Sequence, residues 1–145
     1  RRLSERGVTA LPGARLYLEA AGRARLRRAV VSSSTRTLPM LELAGLASLV
    51  EARVDADQIS RAGLRSRPAP DLLLRACELL GVEPHEAVSL THSAEGVAAA
   101  HAAGVRVVGV NADARERERL LACGAERAVG RLAELLDRLV VAAAA

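Results

Sequence analysis

Four short runs hold the side chains able to do chemistry. Ser32-Ser33-Ser34-Thr35 follows directly on the apolar stretch Ala29-Val30-Val31. Hydroxyls placed where a buried strand gives way to a helix can cap the helix's first N–H groups. The same free N–H groups, with the positive end of the helix dipole, favour an anion. Arg67 precedes Pro68, whose ring biases the preceding backbone toward an extended conformation. A guanidinium held there can grip a phosphate through two parallel N–H bonds. Thr91-His92-Ser93 follows a second apolar run, Ala87-Val88-Ser89-Leu90. His92 suits Zn²⁺ by type, but neither His85 nor His101 has ligand spacing with it, so it reads as a structural or surface histidine. Asp55-Ala56-Asp57 places two carboxylates two residues apart after a third strand-like run, Leu49 to Val54.

Other chemistries are excluded by residue type. All 21 Lys/Arg positions are Arg, so no Schiff base and no catalytic lysine can come from this chain. The two cysteines, Cys77 and Cys123, lack CxxC spacing and read as small core residues. A net charge of +4 invites a nucleic-acid reading, but the arginines are dispersed. With one aromatic residue, Tyr17, there is no platform on which bases can stack. No apolar run reaches membrane-spanning length and no signal-peptide core is visible, so the expected compartment is the cytoplasm and no membrane partner is expected.

Strands alternate with helices along the chain. Ala14 to Ala21 reads as a helix stopped by Gly22; Ala29–Val31 as a strand; Leu38 to Leu43 as a helix; Leu49 to Val54 as a strand, followed by a polar loop to Ser66. Pro68 and Pro70 introduce a helix over Asp71–Leu80 with Leu72, Leu73, Ala76, Cys77 and Leu80 on one face and Gly81 as its stop. Ala87–Leu90 is a strand, and Ser93 opens a helix to Ala103, stopped by Gly104. Val105–Val110 is a nearly continuous apolar strand, as a parallel strand covered on both faces should be. Ala114–Ala122 is a helix, Ala128-Val129 an edge strand and Leu132–Val141 a last helix. This pattern predicts a single α/β domain over 1–145 with a mostly parallel sheet flanked by helices, and with 1–11 and 142–145 frayed.

Ser66-Arg67-Pro68-Ala69-Pro70-Asp71, followed by a helix ending in Leu79-Leu80-Gly81-Val82-Glu83-Pro84, resembles motif III of the haloacid dehalogenase-type (HAD) phosphatases and phosphomutases. That family reads Lys-Pro-Ala-Pro-Asp there. Val30-Val31-Ser32-Ser33-Ser34 resembles motif II, whose first hydroxyl grips phosphate. Pro12-Gly13-Ala14 and Ser93-Ala94-Glu95-Gly96-Val97 are similar to further family segments. The resemblance covers nearly all of residues 12–140 and is nearest the β-phosphoglucomutase-like subgroup. It implies a Rossmann-like core and phosphate-binding roles for Ser32, Ser33 and Arg67. If the family layout holds, Arg67 approaches the same place as the serines.

The family's chemistry is attack by an Asp on a phosphoryl group, with Mg²⁺ held by that Asp and by motif IV carboxylates. Motif I, Asp-x-Asp-Gly-Thr, is absent, so no catalytic residue is assigned. Asp55-Ala56-Asp57 has its spacing but follows the strand after motif II, and is taken as coincidence. Motif IV, Glu-Asp-Ser in the subgroup, is replaced by Thr91-His92-Ser93. The sequence therefore predicts a core lacking the motif I strand and the cap, with no cofactor and no metal site. The first expectation for function is a HAD-like domain without catalysis that serves as a structural or partner-binding module. The alternatives are part of an active HAD phosphatase or phosphoglucomutase whose nucleophile lies outside this chain, and a module binding a small phosphate-type anion. The chain opens on Arg1, which fits an upstream segment, and either that segment or a protein partner is expected to complete the sheet.

Overall fold

The structure is a computed structural model that describes residues 14–32, 45 and 47–135. Helix α1 spans Ala14–Arg23, strand β1 Ala29–Val31 and β2 Ala52–Val54; helix α2 spans Ala56–Ala62 and α3 Asp71–Leu80. Strand β3 spans Val88–Thr91, α4 Ala94–Ala103, β4 Arg106–Val110, α5 Ala114–Ala122 and β5 Arg127–Val129. All pairing is parallel. β1 lies beside β2, with Ala29 opposite Ala52 and Val31 opposite Val54. β3, β4 and β5 form a second sheet in that order. Among the described residues β1 and β3 are not hydrogen-bonded to each other.

The two-residue period of β4 divides the core between two faces. Val107 turns toward α4 and α5, packing with Val97, Ala100 and Leu120. Val108 and Val110 turn the other way, toward Val129, Leu132, Leu135 and Tyr17 of α1. Helix α3 packs on β1 and β2 and, through α4, joins the core of the second sheet. Leu72 and Ala76 pack against Val54 and the strand residues Ala29 and Val31, while Cys77 packs with Val97 and Val105. Arg27 reaches across from the loop before β1 and donates to the carbonyls of Leu80 at 2.6 Å and Gly81 at 3.2 Å. That places a cation on the negative end of α3.

The expected α/β class and every expected strand are present, with several boundaries moved. The strand expected from Leu49 begins only at Ala52, because Ala47–Leu49 forms a 3-10 turn. The polar stretch after it, expected as loop, contains α2. Asp55 caps it by accepting from the Gln58 N–H at 3.1 Å, and Gly63 ends it in the left-handed conformation at φ 65°. Both signals are in the sequence, but α2 has no buried residue, so no apolar period revealed it. Gly22 does not stop α1. The helix runs on past it to Arg23, and the chain leaves through Arg25 at φ 63°. Cys123 is exposed rather than core, because it ends α5 on the outer side; Cys77 is buried as expected. Burial, and secondarily Glu83, push the Cys77 thiol above its usual range. The helix expected over Leu38–Leu43 lies outside the described residues, as does the chain after Leu135, where Leu132–Leu135 is a 3-10 turn.

Candidate functional site

In a parallel sheet all carboxyl ends lie on one rim, which is where open α/β sheets bind ligands. Here Ser32 follows β1 and Asp55 follows β2 at the carboxyl end of the two-stranded sheet, while His92 and Ser93 follow β3 and Asn111 follows β4 at that of the three-stranded sheet.

The Ser32 N–H donates to the Val54 carbonyl at 2.9 Å, which extends the β1–β2 ladder by one residue. Its amide is therefore occupied by the sheet. Ser33 lies outside the described residues.

Arg67 sits in a tight turn in which the Ala69 N–H donates to the Ser66 carbonyl at 3.0 Å, and the Arg67–Pro68 peptide is cis. The Arg67 side chain is half-buried and has no hydrogen-bond or ion-pair partner among the described residues. Its neighbour Arg65 is engaged throughout. The Arg65 backbone N–H donates to Oδ2 of Asp71 at 2.9 Å, and the guanidinium reaches the same carboxylate through Nη2 at 2.8 Å and Nε at 3.1 Å. The guanidinium bonds and then the backbone N–H of Arg65 hold the Asp71 carboxyl below the ordinary carboxylate range.

The Thr91-His92-Ser93 segment is built mainly for structure. Thr91 is the one buried polar residue among those described, and its Oγ1 accepts from the Ser93 N–H at 3.3 Å. The Ser93 Oγ accepts from the Gly96 N–H at 3.1 Å and so caps α4. Gly96 lies so close over Thr91 that a Cβ there would sit 1.9 Å from its Oγ1. The His92 side chain is exposed on the rim, and its carbonyl accepts from Nδ2 of Asn111 at 3.4 Å.

Asp55 is occupied as well. The Gln58 N–H, and after it the Arg53 guanidinium at 3.1 Å, hold its carboxyl below the usual range against the opposing push of burial. It is a helix cap, in line with the reading of Asp55-Ala56-Asp57 as coincidental spacing. Sequence reasoning passed over Asn111 and Asp113. Oδ1 of Asn111 accepts from the Asp113 N–H at 3.0 Å, and Asp113 caps α5 through the N–H of Arg115 at 2.8 Å. The available signal was the polar triplet Asn-Ala-Asp directly after an apolar strand. Among the described residues no group of three or more His, Cys, Asp or Glu could hold a metal ion.

A parallel α/β core flanked by helices in this order is Rossmann-like. The chain belongs to the haloacid dehalogenase-like hydrolase family, whose sequence pattern matches residues 1–110. Within that family it is β-phosphoglucomutase-like. It is 42% identical over 137 residues to the β-phosphoglucomutase of Mycobacterium tuberculosis (strain CDC 1551 / Oshkosh), a match covering 92% of this chain and 52% of that protein. It is 36% identical over 110 residues to hexitol phosphatase A of Escherichia coli (strain K12), covering 74% of this chain and 49% of that protein. A HAD family hydrolase from Deinococcus radiodurans R1, solved with bound phosphate and sodium, superposes with a TM-score of 0.78 at 33% identity, covering 91% of this chain and 59% of that one. The chain spans about half the length of the curated relatives it matches.

These matches correct the expectation of no cofactor. The family is one that works with Mg²⁺, and the chain matches it over residues 1–110. Mg²⁺ takes one or two carboxylates and fills the rest of its shell with water and phosphate oxygens. No helix among the described residues is long and apolar enough to cross a membrane.

Proposed function

We propose that this chain supplies the phosphate-gripping part of a HAD phosphoryl-transfer core, and that one further parallel strand, from a segment outside it, inserts between β1 and β3 and brings the Asp nucleophile. The observation that supports this reading is that, among the described residues, β1 and β3 each have one edge without a partner strand, while α3 packs on β1, β2 and α4. A strand inserted between β1 and β3 would need about 4.8 Å on each side. Open strand edges also carry unpaired backbone groups that must be satisfied. On the rim, Arg67 and the segment after Ser32 would hold the phosphoryl oxygens. The chain as it stands has no Asp-x-Asp-Gly, and by itself it turns nothing over.

A second reading is favoured by Thr91 and His92. Thr91 Oγ1 is buried and engaged where the subgroup carries Glu, and His92 stands where it carries Asp. On that reading the completed domain binds a phosphate-bearing ligand or a protein partner without hydrolysis.

The test supplies the missing part in trans. The portion of the M. tuberculosis β-phosphoglucomutase outside the matched residues is purified and mixed with this chain. Binding, slowed amide exchange in β1 and β3, and Mg²⁺-dependent turnover of p-nitrophenyl phosphate by the mixture but not by either part would support the first reading. Protection of β1 and β3 without turnover supports the second. Unchanged exchange at both edges refutes the strand-insertion proposal.

A further inference from the structure

We infer that Arg65 and Asp71 form a clamp that positions Arg67 for a phosphate monoester, which makes both of them positioning residues. The inference rests on the reading of the rim as a phosphate site.

Two arginines, Arg65 and Arg67, stand two residues apart on one turn, and the structure treats them differently. Asp71, in the first turn of α3, takes both the backbone N–H and the guanidinium of Arg65. The Asp71 side chain is 18% exposed against 72% for Arg65, so the fork lies over the carboxylate from the solvent side. A two-point guanidinium–carboxylate contact fixes orientation as well as distance. The additional backbone bond ties the chain at Arg65 to the start of α3, across the residues that carry Arg67. The Ser66–Ala69 bond closes the same turn from within. The segment is thus pinned at Arg65 and Asp71, and the residue between those pins is the half-buried cation with no internal acceptor among the described residues.

The pairing also sorts the charges. Asp71 neutralises Arg65 and leaves Arg67 as the uncompensated positive group of the turn. Pre-ordering matters because arginine loses considerable rotamer freedom when it binds, and a chain already held in the bound conformation loses less at that moment.

The decisive variant is Asp71→Asn, because two explanations predict opposite signs for it. If Asp71 acts only through its charge, removing a negative group near the site tightens anion binding. If it acts as a clamp, removal frees the turn and weakens binding, by about tenfold for one rotamer-rich side chain and its turn ordered at binding. Inorganic phosphate is titrated into the intact chain, with binding followed at the Arg67 side-chain Nε–H by NMR and ¹⁵N relaxation reporting its mobility. The expected result is saturable binding in the wild type, loss in Arg67→Ala, and about tenfold weaker binding with a more mobile Arg67 side chain in Asp71→Asn. Arg65→Gln, at an exposed site, is expected to mobilise Arg67 in the same way and takes the decisive place if Asp71→Asn does not fold. Wild-type binding that Asp71→Asn leaves equal or tighter, or an Arg67 side chain as ordered in Arg65→Gln as in the wild type, overturns the clamp alone. Absence of any wild-type phosphate binding overturns the rim reading, and the clamp with it.

Discussion

Gly96→Ala tests how tightly the end of β3 is packed. The added methyl would meet Thr91 Oγ1 at 1.9 Å, Cβ at 2.8 Å and Cγ2 at 3.1 Å. The Cβ is fixed to a strand paired along its length with β4, so rotation about χ1 relieves only the outer two contacts. Overpacking of this kind costs about 1–3 kcal/mol, and replacing a helical glycine with alanine returns about 1 kcal/mol. With one contact on a backbone-anchored atom, the upper part of the range applies and the net destabilisation should be about 2 kcal/mol. The mechanism is separable by a double-mutant cycle. Thr91→Ala removes Oγ1 and Cγ2, so Gly96→Ala in that background should cost about 1 kcal/mol less. Urea unfolding followed by circular dichroism reads all four species. A Gly96→Ala protein as stable as the wild type, or strict additivity with Thr91→Ala, would show that the α4–β3 approach is looser than described.

Two further outcomes follow from the packing and the ion pairs. Leu120 is fully buried between α5 and β4, touching Gly109 and the cluster around Val97, so Leu120→Ala should lower the unfolding free energy by about 2–5 kcal/mol, measured in urea. Glu51 accepts from the Arg28 backbone N–H at 2.6 Å and pairs with its guanidinium, which holds the Glu51 carboxyl below its ordinary value of 4.5. A carboxyl depressed in the folded state contributes stability that is complete above that ordinary value and lost as pH falls through the folded one. Glu51→Gln should therefore flatten the decline of Tm below about pH 4.5, and an identical decline in both proteins would refute the assignment.

Where apolar periodicity and stop signals coincide, the sequence was sufficient. Asp71–Leu80 was placed to the residue because it has an apolar stripe and ends at Gly81; Ala114–Ala122 was also placed to the residue, although Leu120 is its one buried residue. Helix α2 escaped because its only core contact is Ile59 and its start and stop are single residues, Asp55 and Gly63. The sequence has no further strand run before Ala29, and among the described residues β1 and β3 are not hydrogen-bonded to each other. The rim was legible only by residue type. Residue type made Arg67 a candidate phosphate ligand, but nothing in linear spacing shows that Asp71 takes Arg65 rather than Arg67. That choice is made by the turn, where the Arg65 amide already points at the carboxylate. Likewise the sequence offers Thr91 and Ser93 as equivalent hydroxyls, and three-dimensional packing assigns one to a buried contact under Gly96 and the other to a helix cap.

Helix α3 has a consequence for how the domain comes apart. A two-stranded sheet such as β1–β2 is marginal in water on its own. Its apolar face is closed by Leu72 and Ala76, on the same ten-residue helix that lends Cys77 to the three-stranded sheet. The three-stranded sheet keeps its cover from α4 and α5, whereas β1–β2 and α3 depend on each other, so β1, β2 and α3 open as one foldon. Native-state hydrogen exchange across β1, β2 and α3 then reports a single opening event, with Arg27 acting as the latch on the helix's far end.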